Sequence, residues 1–374
     1  MRGATHGDGM RRAYIETQKR SHGRAAVAVL PVHYPKEILT AMNVLAVELW
    51  GPPGPPRDPQ SGRLQTYVCA VARNALAFLA SGGADVVDGV LFPHTCDSIQ
   101  GLGTLLPDFG GWAKPSFRYL HPKGEARPSS RAFVAQELRS LAHALERLGR
   151  PPLEPDELRR AIALHREIDA VKDALLSARA RLPMSDLELY RLLRRGEFLW
   201  PEEHLAELRA ARGQLRDEPV QRGTPIAITG YVPEPMSLFQ ALGSAGAYVA
   251  ADDYAAVGRR IALDQGPLDG DPFAVLVDRA FAAPPCPTRA SDQQARVRHL
   301  QRLFERGRAR GVILHEPKFC EPELFDVPVI KKTASALGLP LLYLEGELEV
   351  ELSGQAVTRI EAFVEMMVSG GRAA

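Results

Sequence analysis

Short apolar runs, each followed by a polar loop, recur in two separate parts of the chain. They occupy residues 25–30, 44–49 and 88–92 in the first part, and residues 225–229, 247–251, 311–314 and 341–344 in the second. Unbroken apolar runs of this length are typical of strands buried on both faces, as in parallel sheets. Helical patterns separate them, so we predict an α/β fold of two parallel-sheet, Rossmann- or flavodoxin-like units.

Several segments between the predicted strands have the pattern of helices, and one has the composition of a loop. A helix is expected to begin at residues 35–39, where Pro35 and Glu37 suit a first turn. Apolar residues at helical spacing predict a helix over 64–80 that contains Cys69, and further helices over 236–245, 293–308 and 358–368. Residues 51–62 hold five prolines and three glycines, so they are expected to form a loop.

The middle of the chain differs from the two flanking parts in composition and periodicity. Residues 129–218 are rich in Leu, Ala, Arg and Glu at helical period, and acids match bases throughout. We therefore predict a mobile tail over 1–23, an N-terminal α/β unit over 24–128, a helical subdomain over 129–222 and a C-terminal α/β unit over 223–374.

Charge and composition exclude several classes of protein. The 374 residues carry 46 Lys and Arg against 45 Asp and Glu, so no general field attracts nucleic acid or anionic lipid. No apolar run approaches the roughly 20 residues of a membrane-spanning helix. Residues 1–24 are polar and basic, unlike a secretory signal, so we expect a cytoplasmic protein. Walker and G-x-G-x-x-G motifs are absent, so ATP hydrolysis by this chain is not expected.

Four cysteines, at positions 69, 96, 286 and 320, are too few and too scattered for a secreted disulfide framework. Cys96 and Cys320 each follow a predicted buried strand, where α/β sheets place their ligands, and Cys69 can reach the same cleft. Three converging thiolates suit an iron–sulfur cluster better than zinc, which usually takes close C-x₂-C pairs. Two alternatives remain: ordinary buried thiols, or a cysteine nucleophile with His94 or His315 as its base.

Candidate acid–base groups are less specific. Glu37 lies just after the first predicted strand, so its carboxylate is a candidate proton relay at the cleft. The alternative is a first-turn acid that stabilises its own helix. His94 and Glu234 are candidate catalytic residues of the same standing.

Several segments together resemble a known family. They are FPHTCDS at 92–98, GYVPEP at 230–235 followed by ADD at 251–253, KFC at 318–320 and TRIEAFVEM at 358–366. Their order and content resemble the 2-hydroxyacyl-CoA dehydratase component family, which also includes subunits of ATP-dependent benzoyl-CoA reductase. The resemblance covers roughly residues 24–368.

The resemblance implies a [4Fe-4S] cluster held by Cys69, Cys96 and Cys320, with Cys286 left as a loop or core thiol. It implies an acyl-CoA substrate, a related second subunit or a second copy of this chain, and a separate ATP-hydrolysing iron–sulfur activator. The implied reaction is loss of water from a 2-hydroxyacyl thioester through a ketyl radical anion. Two other roles stay open: a subunit of an aromatic acyl-CoA reductase, and a non-catalytic paralogue that relays electrons through its cluster.

Overall fold

The chain folds around two four-stranded sheets in which all strands are parallel. The computed structural model describes residues 6–54, 64–221, 223–263 and 266–370, so most of the predicted loop over 51–62 lies outside the described residues. The first sheet contains β1 (Ala25–Val29), β2 (Val44–Glu48), β3 (Gly89–Pro93) and β4 (Ser116–Tyr119), in the order β2-β1-β3-β4. The second contains β5 (Thr224–Gly230), β6 (Ala247–Tyr254), β7 (Val312–Pro317) and β8 (Leu341–Gly346), in the order β6-β5-β7-β8. The same order in both sheets confirms the predicted α/β fold of two similar units.

Helices connect and cover these strands. Those of the first half are α1 (His6–His22), α2 (Lys36–Ala41), α3 (Ala70–Ala80) and α4 (Asp97–Phe109). The middle of the chain forms α5 (Pro128–Leu145), α6 (Pro155–Ser177), α7 (Asp186–Arg195) and α8 (Pro201–Arg212). The second half adds α9 (Ser237–Ser244), α10 (Pro272–Ala282), α11 (Gln293–Arg306), α12 (Glu321–Ala336) and α13 (Gly354–Gly370).

Over residues 6–22, α1 corrects the prediction of a mobile tail over residues 1–23, because it is a helix that packs on the first unit and on α8. Ile15 is buried in the core, and Gln18 donates a hydrogen bond to Glu203 at 2.9 Å. Lys19 pairs with Asp88 at 2.6 Å. These partners lie far away in the sequence, so the local polar pattern carries no sign of the helix.

Helix boundaries also differ from the sequence prediction near Cys69. The predicted helix over 64–80 begins only at Ala70, and Cys69 is its N-cap with extended backbone angles. Four other elements, α4, α10, α12 and β4, are absent from the sequence prediction. Pro107 lies inside α4 and Pro328 inside α12, so proline interrupts the local signal for both helices.

The two units share one core, which brings the carboxyl ends of their strands towards each other. One apolar cluster contains Ala26 and Val90 of the first sheet together with Ile226 and Ile313 of the second. A second cluster packs α5, α6 and α10 on the other face of the first sheet. No helix in the described ranges is long and apolar enough to cross a membrane.

Candidate functional site

Each of the three cysteines singled out in the sequence stands at the N-terminus of a helix. Cys69 is the N-cap of α3, Cys96 is the N-cap of α4 and Cys320 is the N-cap of α12. The first N–H groups of a helix have no partner within the helix, and they favour negative charge beside them. Three helix N-termini therefore direct their positive ends to the positions of the three sulfur atoms.

These cysteines converge on one small pocket where the two units meet. Cys69, Cys96 and Cys320 line it together with Ile99, Tyr231, Phe319 and other side chains, and Cys286 is not among the described residues that line it. Cys69 and Cys320 are buried and Cys96 is half-buried. Because Cys96 follows β3 and Cys320 follows β7, the pocket takes one thiol from the end of each sheet.

The thiols are held neutral by their surroundings. Burial raises the pKa of Cys69 to about 12, and the neighbouring Cys96 adds to that rise. Burial likewise raises the pKa of Cys96 and, with the proximity of Cys69, that of Cys320. Backbone N–H groups at the helix starts act in the opposite direction, Ala72 and Val71 on Cys69 for example. A metal that binds here must displace the protons, and these N–H groups stabilise the sulfur charge that results.

The donor set of three thiols has the chemistry of iron–sulfur ligands. In the described part of the chain, no three His, Cys, Asp or Glu side chains close on a common point as ligands of one metal ion. The cysteines that hold a cubane each bind a different iron, so they surround a volume instead of a point. Three thiols around one pocket, beside three helix N-termini, fit that requirement.

Tyr231 and Phe319 complete the pocket, and sequence reasoning had assigned neither of them to the site. Tyr231 is buried among the three thiols, which add to the burial that raises its pKa, and its hydroxyl donates to the Pro31 carbonyl at 3.4 Å. Phe319 has a φ of 61° and is 44% exposed. Both lie inside the quoted motifs GYVPEP and KFC, which were the available signal.

Cys286 belongs to a buried polar layer beneath α12. Its sulfur accepts a hydrogen bond from Arg259 at 3.4 Å and lies 3.0 Å from the Thr288 hydroxyl. The same Arg259 binds both carboxylate oxygens of Glu323, at 2.8 and 2.7 Å. Since Glu323 lies in the first turn of α12, this layer positions the helix that begins after Cys320.

A second and larger cavity, of about 1150 Å³ including its open part, adjoins the cysteine pocket. The two meet at His33, which lines the cavity, and Thr288, which lines the pocket; the His33 imidazole and Thr288 hydroxyl lie 2.9 Å apart. Glu37 lines the cavity and pairs with Arg279 at 2.6 Å. The predicted proton relay is therefore placed beside a cavity, but its carboxylate is engaged by a guanidinium.

The other acid–base candidates are not among the described residues that line the cysteine pocket. His94 is half-buried, and Glu234 pairs with Arg194; neither is among the described residues that line the two cavities. His315 is buried with Nδ1 at 2.9 Å from the Tyr254 hydroxyl, and burial lowers its pKa to about 4. Within the described residues, no hydrogen bond joins either histidine to a cysteine, so the geometry gives no support to a cysteine nucleophile with a histidine base.

Comparison with known proteins finds relatives along most of the chain. The sequence model of the family described as 2-hydroxyglutaryl-CoA dehydratase, D-component, matches residues 31–367. The chain is 23% identical to the beta subunit of lactoyl-CoA dehydratase from Anaerotignum propionicum, with 94% of each chain covered. It is 28% identical to one of the benzoyl-CoA reductase subunits of Thauera aromatica, over 85% of this chain and 84% of the relative. Identity to the beta subunit of (R)-2-hydroxyglutaryl-CoA dehydratase from Acidaminococcus fermentans is 22%, over 93% and 94%.

Proposed function

Since the chain belongs to the family of the 2-hydroxyglutaryl-CoA dehydratase D-component, as its sequence motifs predict, we propose that it is the iron–sulfur subunit of a 2-hydroxyacyl-CoA dehydratase. The observation that carries the proposal is the convergence of Cys69, Cys96 and Cys320 on one pocket between the sheets. Relatives named as beta subunits of dehydratases support the reaction class. Their names also support a partner, which is either a related second subunit or a second copy of this chain.

The proposed ligands of a [4Fe-4S] cluster are the three pocket cysteines. Such a cluster supplies one-electron transfer and, with three protein ligands, an iron that is open to a substrate oxygen as a Lewis acid. The chain contributes the surroundings. The N-termini of α3, α4 and α12 stabilise negative charge on the sulfur ligands, while Ile99, Tyr231 and Phe319 exclude water from the pocket.

A pocket that excludes water and holds a one-electron cofactor would overcome the chemical difficulty of the proposed reaction. The β-proton of a 2-hydroxyacyl thioester is not acidic, so direct elimination of water is slow. One electron added to the thioester carbonyl gives a ketyl radical anion, which expels the 2-hydroxyl group as hydroxide and leaves a neutral enoxy radical with an acidified β-proton. Loss of that proton and return of the electron give the enoyl-CoA. We propose that this electron comes from a separate ATP-hydrolysing iron–sulfur activator, since this sequence carries no phosphate-binding loop of its own.

A subunit of an aromatic acyl-CoA reductase is the second candidate. The 28% identity to a benzoyl-CoA reductase subunit favours it. Both reactions place an electron in an acyl-CoA thioester, so the same cysteine site serves either one.

The test is anaerobic purification with the presumed partner subunit, followed by assays with activator, ATP and panels of 2-hydroxyacyl-CoA and aromatic acyl-CoA thioesters. Formation of an enoyl-CoA, lost in Cys320→Ser and kept in Cys286→Ser, supports the dehydratase. Reduction of the aromatic thioester alone supports the reductase. Cluster content without turnover of either panel contradicts both and leaves the electron-relay paralogue.

A further inference from the structure

A hydrogen bond crosses the wall between the cysteine pocket and the large cavity. Thr288 lines the pocket and His33 lines the cavity, and the Thr288 hydroxyl lies 2.9 Å from Nε2 of the imidazole. The two spaces have no lining residue in common within the described part of the chain. At this point the two side chains close the wall, so a hydrogen-bonded proton can cross it where a molecule cannot.

Thr288 is held in place by contacts with several other residues. Its side chain is 2% exposed, and its hydroxyl lies 3.0 Å from the Cys286 sulfur as well as 2.9 Å from His33. The Lys123 ammonium donates to the Thr288 carbonyl and, at 2.9 Å, to the Thr95 carbonyl. The hydroxyl is therefore fixed beside the imidazole, with one proton to donate and lone pairs that accept another.

The backbone of His33 lies in the left-handed region, with a φ of 62°. Residues with a Cβ rarely adopt this region, and such strain is concentrated at functional positions. Nε2 contacts Thr288, whereas Nδ1 has no hydrogen-bond partner among the described residues. The strained backbone thus presents one ring nitrogen to the wall and leaves the other one free.

The surroundings of His33 keep its ring neutral. Burial is the main cause that lowers the pKa of His33 well below its usual value, and nearby basic groups lower it further. Those groups are Arg289, His121, Arg260 and Arg259. A neutral imidazole has one nitrogen that accepts a proton and one that donates, so it can take up a proton on one side as it releases another.

We propose that Thr288 and His33 form a proton relay from the cysteine pocket to solvent in the open part of the large cavity, and that this relay removes the acidified β-proton in the proposed reaction. The proposal rests on the proposed function and adds two residues to its site. The substrate Cβ–H bond breaks, its electron pair stays on the substrate, and the proton binds the Thr288 oxygen. The Thr288 hydroxyl proton moves to Nε2 of His33, and the proton on Nδ1 passes to water. Thr288 and His33 each end with the number of protons they began with.

The first test follows proton exchange in the metal-free chain by infrared spectroscopy. Cys286 is the reporter, because it is fully buried beside the Thr288 hydroxyl, and its S–H band is the one that Cys286→Ser removes. After transfer into heavy water, we expect this band to convert to S–D about a hundredfold more slowly in His33→Gly and in Thr288→Val than in the wild type. Glycine adopts the left-handed backbone of position 33 without strain, so His33→Gly tests the ring and not the backbone.

Added imidazole, a conservative variant and a second histidine are the controls. Imidazole should restore exchange in His33→Gly, because the missing ring leaves a space beside the cavity, but not in Thr288→Val. Thr288→Ser keeps the hydroxyl and should exchange like the wild type. His165 lines the same cavity and lies 2.9 Å from the hydroxyl of Thr40, which is not among the described residues that line the pocket. His165→Ala should therefore leave the exchange rate unchanged.

The second test is turnover by the holoenzyme with its partner subunit. In His33→Gly, kcat should fall about a hundredfold with KM unchanged, and imidazole should restore it. Unchanged kcat in this variant overturns the proposal.

Three results of the exchange experiment also overturn it: wild-type exchange in His33→Gly, slow exchange that imidazole does not restore, and equal slowing in His165→Ala. If His33→Gly does not fold, the comparison of Thr288→Val with Thr288→Ser decides, and equal exchange in these two overturns the proposal. Because exchange is measured without a cluster or a substrate, failure of the relay and failure of the proposed function are distinguishable.

Discussion

Arg259 joins the buried polar layer to the first turn of α12, the helix that begins after Cys320, and its replacement by methionine tests that link. Its guanidinium is fully buried and donates to both oxygens of Glu323, to the Asp253 carbonyl at 2.7 Å and to the Gly230 carbonyl. In Arg259→Met, the Glu323 carboxylate loses its counter-charge in the interior. Breaking a buried pair in this way costs about 3–5 kcal/mol.

This cost converts to a measurable change in the melting temperature. At about 2.1 cal/mol/K per residue, the unfolding entropy of 374 residues is about 0.8 kcal/mol/K. The expected decrease of the melting temperature in Arg259→Met is therefore about 4–6 °C, measured by circular dichroism on the metal-free chain. Iron content after reconstitution should fall as well, because Glu323 lies in the turn that follows Cys320.

The control is Arg298→Met, at an arginine that is 58% exposed and 3.9 Å from its nearest acid; its melting temperature should stay within about 1 °C of the wild type. The double variant Arg259→Met/Glu323→Gln should recover part of the loss, since no charge is then left alone. A melting temperature for Arg259→Met within about 1 °C of the wild type would refute the reasoning.

Three further predictions concern a pH effect, a proton relay and a close backbone contact. Burial and Glu323 raise the pKa of Glu316 to about 8, so the folded state retains this proton longer than the unfolded state does. Urea titrations should therefore show stability falling from about pH 5 to pH 8, and falling less in Glu316→Gln. Glu37→Gln with an intact cluster should lower turnover if Glu37 relays a proton, and unchanged turnover ends that idea. Gly230→Ala should fail to fold in expression trials, because its φ is 149° and a Cβ there collides with the His315 carbonyl.

The sequence pattern located Cys96 and Cys320 because each follows a strand that is buried on both faces. A parallel sheet orders the ends of its strands, so an apolar run followed by a cysteine is a strong positional signal. Cys69 was harder to place, since the apolar spacing before it imitates a helix although the backbone at Cys69 is still extended. The shared strand order of the two sheets was visible only as a similar layout of strands, loops and cysteines.

Features that depend on contacts between residues far apart in the sequence could not be predicted from local sequence patterns. The ion pairs of α1, the Arg259–Glu323 pair and the large cavity join residues from separate elements. The sequence around Arg259 gives no sign that its side chain is fully buried. Charge pairing inside a core is determined by the tertiary structure, so it can be identified only once the packing of the helices and strands is known.

Iron and acid-labile sulfide content, measured on anaerobically reconstituted chains, tests the central claim that three thiols hold one cluster. The wild type and Cys286→Ser should each bind about four irons and four sulfides per chain. Cys69→Ser, Cys96→Ser and Cys320→Ser should each lose most of both, while circular dichroism shows that the fold persists. Full cluster content in any one of these three variants, or its loss in Cys286→Ser alone, would contradict the assignment.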